Sequence, residues 1–326
     1  MFPFRYERGS DIDGVVAAAA RDSSAEFLAG GTDMLQLLKD DVRRPGRIID
    51  LSRLPDLDRI DCGPRGLRLG ALVKMSDAAD DPALRADYPV VAEALLASAS
   101  PQIRNMATIG GNLLQRTRCV YFRDHGTQCN KREPGSGCGA LAGENRLHAV
   151  LGVSDHCIAT HASDLAVALV ALDAIVITAR ADGGRRIPLE EFHILPGDRP
   201  ERETVLEPGE LILAVEAPPL AFARRSHYLK VRDRASFEFA LTAAAVAADI
   251  DGGVVRDVRI ALGGVGTKPW RAREAEQALI GQPAKPASFE RAAAQALVCA
   301  RPAAQNGFKI PLAQRTLVRA LSHLMA

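Results

Sequence analysis

Cys119, Cys129, Cys138 and Cys157 fall within 39 residues of a 326-residue chain that has only two other cysteines, Cys62 and Cys299. The segments around them, Arg118-Cys119-Val120-Tyr121-Phe122-Arg123 and Cys129-Asn130-Lys131-Arg132-Glu133-Pro134-Gly135-Ser136-Gly137-Cys138, are polar, glycine-bearing and poor in aliphatic side chains. Such a stretch buries little core of its own, so something else must hold it. Four thiolates meeting at one point could do so by ligating a tetrahedral zinc or an iron–sulfur cube, and two disulfides could also serve. Disulfides need an oxidising compartment, and Met1-Phe2-Pro3-Phe4-Arg5-Tyr6-Glu7 carries no export-leader pattern. Zinc usually takes its cysteines in pairs about two to four residues apart, whereas the gaps here are nine, eight and eighteen residues. Spacing alone puts iron–sulfur ahead of zinc, although it matches neither common ferredoxin pattern. Arg116, Arg118, Arg123, Lys131 and Arg132 stand beside the candidate ligands and would offset the negative charge of a cluster. Four cysteines already complete a ligand set, so His125, His148, His156 and His161 read as loop or core histidines. Cys62 and Cys299 read as small buried residues.

Two glycine pairs mark places where a ligand could lie against bare backbone. Leu28-Ala29-Gly30-Gly31-Thr32-Asp33 sits at a strand end leading into a helix, where successive N–H groups can turn toward an anion such as a pyrophosphate. The spacing is not that of a Rossmann loop, and a double glycine is first of all a turn. Ile103-Arg104-Asn105-Met106-Ala107-Thr108-Ile109-Gly110-Gly111-Asn112 again gathers hydroxyl, amide and glycines.

The elements that must position these residues follow from periodicity and turn signals. Ser10-Asp11 caps a helix through Ala20, Ala25–Ala29 and Arg47–Leu51 are strands, and Met34–Lys39 is helical, which gives a compact α/β unit. A second α+β unit resumes with a strand at Leu67–Ala71 and a helix through Val90–Leu96, then enters the cysteine loop. Beyond Ala217-Pro218-Pro219, strands at Tyr228–Arg232, Ala240–Ile250 and Val254–Gly263 precede helices in 271–280, 287–299 and 309–325. With 41 basic against 40 acidic side chains and no basic block, the chain lacks the electrostatic footprint of a nucleic-acid binder. No apolar run is long enough to span a membrane.

Taken in order, the segments AGGTD, IRNMATIGGN, HASDLAVALVALDA and YLKVRDRASFEFAL resemble the flavin subunit of the xanthine dehydrogenase and molybdenum hydroxylase family, over essentially the whole chain. In most such subunits the GGN segment runs almost directly into the Ser-Asp segment, whereas here about fifty residues with all four clustered cysteines separate Asn112 from Ser163-Asp164. That insertion is similar to the one carrying a 4Fe-4S cluster in the flavin subunit of bacterial, periplasmic-type aldehyde oxidoreductases. The resemblance implies an α+β chain: a two-subdomain FAD-binding fold like that of vanillyl-alcohol oxidase, then a C-terminal α+β domain with a three-stranded antiparallel sheet and helices. The implied boundaries are 1–56, 57–219 with the cluster insertion at 113–162, and 220–326. It further implies FAD contacts from Leu28, Ala29, Gly30, Gly31, Thr32 and Asp33 around the pyrophosphate and from Ala107, Thr108, Gly111 and Asn112 along the dinucleotide. Asp164 would accept from hydroxyls of the ligand while Ser163 caps the following helix, Leu213 would pack on the isoalloxazine, and Lys230 would tune its polar edge. Cys119, Cys129, Cys138 and Cys157 would hold a 4Fe-4S cluster.

The reading that follows is an electron-transfer subunit of a heterotrimer, with no catalytic residue of its own. A large molybdenum cofactor subunit would oxidise the aldehyde, and a small subunit with two 2Fe-2S clusters would relay electrons to this FAD. An external acceptor would take them onward past a loop bearing Arg232 and Arg234, whose charges would attract an anionic or acidic partner. A partner's export signal would make the complex periplasmic, and otherwise it is cytoplasmic. The same flavin subunit in a xanthine dehydrogenase, carbon monoxide dehydrogenase or hydroxybenzoyl-CoA reductase type complex is the alternative, and a zinc-stapled assembly protein without flavin is a third reading.

Overall fold

A computed structural model describes Met1–Met325. Asp11 starts the helix Ile12–Ala20 by accepting from the Gly14 amide at 2.7 Å, which satisfies one of the helix's unpaired N–H groups. The strands Arg5–Arg8, Ala25–Leu28 and Arg47–Asp50 form a parallel sheet with the third in the middle. Parallel pairing requires crossovers, and Ile12–Ala20 and Met34–Lys39 supply them. Ile49, Val15 and Val16 anchor the core between helix and sheet.

A five-stranded antiparallel sheet follows, in the order Ile60–Gly63, Gly66–Gly70, Leu211–Ala217, Ile175–Ala179, Arg186–Pro188. The strand expected at Leu67–Ala71 forms one residue earlier, and the helix expected through Val90–Leu96 spans Pro89–Ala97. Leu211–Ala217 is buried on both faces apart from Leu213 and Glu216, so it lacks the polar–apolar alternation that would announce a strand. The helix Asp164–Ala171 is buried at every residue, as a helix without a polar face must be. It packs on Pro89–Ala97 and on the C-terminal sheet. Gly263 makes that approach possible, since a Cβ there would lie 2.8 Å from Val167 Cγ2.

The C-terminal sheet contains the three expected strands, as Ser226–Val231, Thr242–Asp251 and Val254–Gly263, and a fourth, two-residue edge strand, Trp270–Arg271. Two residues are too few for a periodic signal. Ala243 and Ala245 point toward the Asp164–Ala171 side, while Ala244, Val246 and Ile260 meet the helices Arg273–Leu279, Pro286–Gln295 and Lys309–His323. Alternate small residues thus bury both faces of one sheet. The reading of Cys62 and Cys299 as buried does not hold: Cys62 is half-buried on an edge strand and Cys299 is exposed after Pro286–Gln295. Among the described residues no helix is long and apolar enough to cross a membrane.

Candidate functional site

A cavity of about 900 Å³ opens between the parallel sheet and the five-stranded one. Both glycine segments reach it: Ala29, Gly30, Gly31, Thr32 and Asp33 from one side, Ala107, Thr108, Gly111 and Asn112 from the other. Gly31 turns the first segment with φ +71°, a left-handed conformation that glycine adopts without a Cβ clash. Gly30 lets the two segments touch, because a Cβ on it would collide with the Met106 carbonyl. The following helix ladder begins with Leu35 N–H to Gly31 C=O at 3.0 Å, so the amides of Thr32 and Asp33 precede it without intrahelical acceptors. Thr108 caps the short helix Ile109–Leu113 by accepting from the Gly111 amide at 3.3 Å. Leu28 and Leu213, expected at the ligand, lie off the wall. The Leu28 carbonyl accepts from Leu51 N and the Leu213 carbonyl from Ala71 N, while Leu211 and Ile212 line the cavity instead.

Asp164 and Lys230 also border the cavity, but each holds the other. Lys230 Nζ lies 2.7 Å from Asp164 Oδ2, with side chains 3% and 7% exposed. Tyr228 donates to Asp164 Oδ1 at 2.6 Å and Ser98 to Oδ2 at 3.0 Å. Burial, then the neighbouring Asp164, pushes the Tyr228 phenol well above its ordinary range, so it stays a donor. Ser163 caps the helix by accepting from Ala166 N at 2.9 Å, which leaves the Asp164 carboxylate to this network. Tyr228, Ser98 and Glu203 carry no sequence signal, since their partners lie far along the chain. Ala99, a non-glycine residue at φ 51°, is held in a sparsely populated conformation at the cavity wall.

The basic residues of the cysteine insertion do not stand free beside the thiols. Asp33 Oδ1 pairs with Arg118 at 2.8 Å and Arg123 at 2.9 Å, and its Oδ2 accepts from the Arg116 backbone at 2.8 Å. Glu203 pairs with the Arg116 guanidinium and, at 2.9 Å, with Lys131. Burial alone would raise the Glu203 carboxyl, yet Arg116 and Lys131 outweigh it and hold the group below its usual value. Arg132 donates to the Tyr121 and Phe122 carbonyls at 2.6 and 2.9 Å. Arg116, Arg118, Arg123 and Lys131 therefore tie the insertion to two walls of the large cavity, while Arg132 braces it internally. Arg232 donates to the Ala97 carbonyl at 3.1 Å, and the exposed Arg234 pairs with Glu238 at 3.0 Å beside the cavity. Phe237 and Phe239, both exposed, form the rim of the cavity beside them. Replacing Asp33 by asparagine should destabilise the insertion by about 2 kcal/mol, the scale of a hydrogen bond to a charged group. Hydrogen exchange at residues 116–123 should then accelerate, and unchanged exchange would remove Asp33 as the anchor.

All four clustered cysteines line one small cavity with Tyr121, Phe122 and Asn130. Cys129 and Cys157 are buried, Cys119 and Cys138 half-buried. Cys129 bridges Cys138 as an isolated antiparallel pair, and Asn130 secures the turn by accepting from Gly137 N at 2.8 Å. Phe122, Cys129 and Leu37 make a miniature core that ties the insertion to the first unit. Burial pushes the Cys119 thiol up to about 12 and raises Cys157, so taking up metal must release protons. Among the described residues no three His, Cys, Asp or Glu groups are gathered in the arrangement that holds a metal ion. Of the insertion's histidines, His125 and His156 are exposed, while His148 is buried with Nε2 3.2 Å from Cys119 Sγ.

Two family models account for nearly all of the chain: the FAD binding domain in molybdopterin dehydrogenase matches residues 2–220, and the CO dehydrogenase flavoprotein C-terminal domain matches 227–324. The chain belongs to the FAD-binding subunits of the molybdenum hydroxylase family. Its flavin-subunit relatives include the aldehyde oxidoreductase FAD-binding subunit PaoB of Escherichia coli (strain K12), 48% identical over 100% of this chain and 99% of that one. The glyceraldehyde dehydrogenase medium chain of Sulfolobus acidocaldarius is 28% identical over 86% of this chain and 83% of its own length. Among solved structures, carbon monoxide dehydrogenase from Hydrogenophaga pseudoflava superposes with a TM-score of 0.77 at 25% identity, covering 100% of this chain and 99% of that one. As a flavin subunit of this family the protein is part of an oxidoreductase with an FAD-binding domain. The large cavity suits that ligand, with amides ahead of a helix on one wall and apolar Leu51, Leu57 and Leu72 on another.

Proposed function

We propose that this chain is the FAD and 4Fe-4S electron-transfer subunit of a heterotrimeric, molybdenum-dependent aldehyde oxidoreductase. The observation that carries the reading is the 48% identity, over the whole of both chains, with a protein named as the FAD-binding subunit of an aldehyde oxidoreductase. In this reading residues 1–56 and 57–219 enclose the flavin, 113–162 is the cluster insertion, and 220–326 is the C-terminal domain. FAD, when bound, supplies a carrier that exchanges electrons with iron–sulfur centres and with an external acceptor. The chain's own contribution is to hold that carrier. Backbone at Gly30, Gly31, Thr32 and Asp33 would receive the pyrophosphate, and two guanidiniums on Asp33 keep that carboxylate from repelling it. Ala29, Ala107, Thr108, Gly111 and Asn112 would follow the dinucleotide, with Asp164 and Lys230 as a fixed polar wall. A large molybdenum cofactor subunit would oxidise the aldehyde to the acid, and a small subunit with two 2Fe-2S clusters would deliver the electrons. Location follows the partner that carries the export signal, periplasm if one does and cytoplasm if none does.

For the cluster, the support is that four thiols converge on one cavity inside a segment with almost no core of its own. Each thiolate of a cube binds a different iron, so the sulfurs surround a volume instead of closing on a point. The test is iron and acid-labile sulfide per flavin in the anaerobically purified complex. Cys119→Ser, Cys129→Ser, Cys138→Ser and Cys157→Ser should each remove about four irons and loosen the insertion more than the flavin cavity, because metal ligation contributes folding energy there. Iron no greater than the partner subunits account for would overturn this part of the proposal.

A further inference from the structure

We infer that His148 is a positioning residue for the iron–sulfur site: it donates an N–H···S hydrogen bond to Cys119 and raises the reduction potential of the group that Cys119 binds. The inference rests on the proposal that the four cysteines ligate one 4Fe-4S cluster, and it adds a fifth residue with a different role. His148 Nε2 stands 3.2 Å from Cys119 Sγ. A thiolate ligand has no proton to give, so the hydrogen of that contact belongs to the imidazole. Nδ1 is buried without a partner, and with the proton on Nε2 it is left as an unpaired acceptor, not as an unpaired N–H.

The backbone that carries the ring is held from outside the insertion. The backbone N–H of His148 donates to the Asn145 carbonyl at 3.0 Å, and its own carbonyl accepts from Lys309 Nζ at 3.1 Å and Asn306 Nδ2 at 3.2 Å. Lys309 is fully buried and also donates to the Leu147 and Gly264 carbonyls, at 2.9 and 2.8 Å. Asn145 exchanges a reciprocal pair of hydrogen bonds with Gln305, both 2.9 Å. Residues 305–309 thus lock the backbone around His148, and the Tyr121 ring stands 6.2 Å away on the insertion side. A side chain needed only to fill space would not require its polar atom aimed at sulfur. Hydrogen bonds to cluster sulfurs stabilise the reduced, more negative state, which is how surrounding donors set potentials.

The experiment compares His148→Phe, which keeps a ring and loses the donor, with His148→Gln, which keeps an N–H at about the same reach, both in the assembled complex. Iron and sulfide content is read first, then the midpoint potential by EPR-monitored redox titration. His148→Phe should lower the reduction equilibrium constant about tenfold, a negative shift of about 59 mV for one electron, and His148→Gln should return it toward the unmodified protein. Where His148→Phe sheds iron, retention by His148→Gln supports the same role. Equal behaviour of the two variants, in potential or in iron lost, overturns the inference. A deficit of iron already present in the unmodified complex would overturn the cluster reading itself, so the two failures are distinct.

Discussion

Replacing Gly30 by alanine is expected to give a folded chain that has lost its FAD. The new Cβ would lie 1.9 Å from the Met106 carbonyl oxygen and 3.1 Å from Ala107 Cα. Neither is the end of a flexible side chain. Met106 is fixed by Lys74, which donates to its carbonyl at 3.2 Å, and Ala107 by the Met75 amide at 2.9 Å. An isolated antiparallel bridge, Lys74↔Thr108, closes the same corner. The two glycine segments would separate, and the wall they build together would open. Gly31 is a milder site. Alanine there meets Leu35 Cδ1 at 3.2 Å and must adopt φ +71°, which costs about 1–2 kcal/mol. Flavin absorbance per protein after gel filtration decides between them: Gly30→Ala should elute colourless at the flavin wavelengths while Gly31→Ala keeps most of its cofactor. Stoichiometric flavin in Gly30→Ala would show that the two segments do not need to touch.

Lys230→Met should be the most destabilising single change at the cavity, by about 3–5 kcal/mol, because it leaves a buried carboxylate without its cation. Asp164 would retain Tyr228 and Ser98 as donors, which moderates the loss but does not neutralise the charge. Adding Asp164→Asn should restore a good part of it, since the pair then disappears together, and a double-mutant cycle on thermal or denaturant unfolding measures the coupling. Additive effects would mean that the two side chains do not depend on each other. This interdependence also changes what Lys230 offers a flavin. Its charge is balanced within the protein at 2.7 Å, so any tuning comes from the pair and not from a lone ammonium.

The sequence was legible where a residue's own neighbours determine its job. Asp11 as a helix cap, Ser163 as another, the turn at Gly30-Gly31 and the clustering of the four cysteines are all local patterns, and the structure has each of them. Gly30 was harder, because the atom it makes room for belongs to residue 106. The same holds for Asp33, whose guanidinium partners are about ninety residues away, and for Tyr228 and Ser98, which meet at Asp164 from the C-terminal sheet and from the end of the helix Pro89–Ala97. The five basic residues beside the cysteines illustrate the limit most clearly. Proximity in sequence suggested that they answer the charge of the thiolates; Lys131 does line the cysteine cavity, while Asp33, Glu203 and backbone carbonyls hold all five. The facing of Leu213 was equally hidden: Leu211 and Ile212 both line the cavity, and the strand's pairing slips by one residue at Leu213, between Ile177↔Ala214 and Thr178↔Ile212, which breaks simple alternation.

Ser163 donates to Asn112 Oδ1 at 2.5 Å across 51 positions of sequence, so the cysteine-bearing excursion leaves and re-enters the fold at nearly one point. A detour with coincident ends imposes no strain on the path it interrupts. Loop-closure cost grows only with the logarithm of length, so a short connection and this long one are almost interchangeable at that junction. The excursion is therefore pinned at its root as well as along its body: Asn112 and Ser163 close the root, while Asp33, Glu203 and Gln305 hold the rest, so the large cavity and the cysteine cavity are fastened to one another and not built apart.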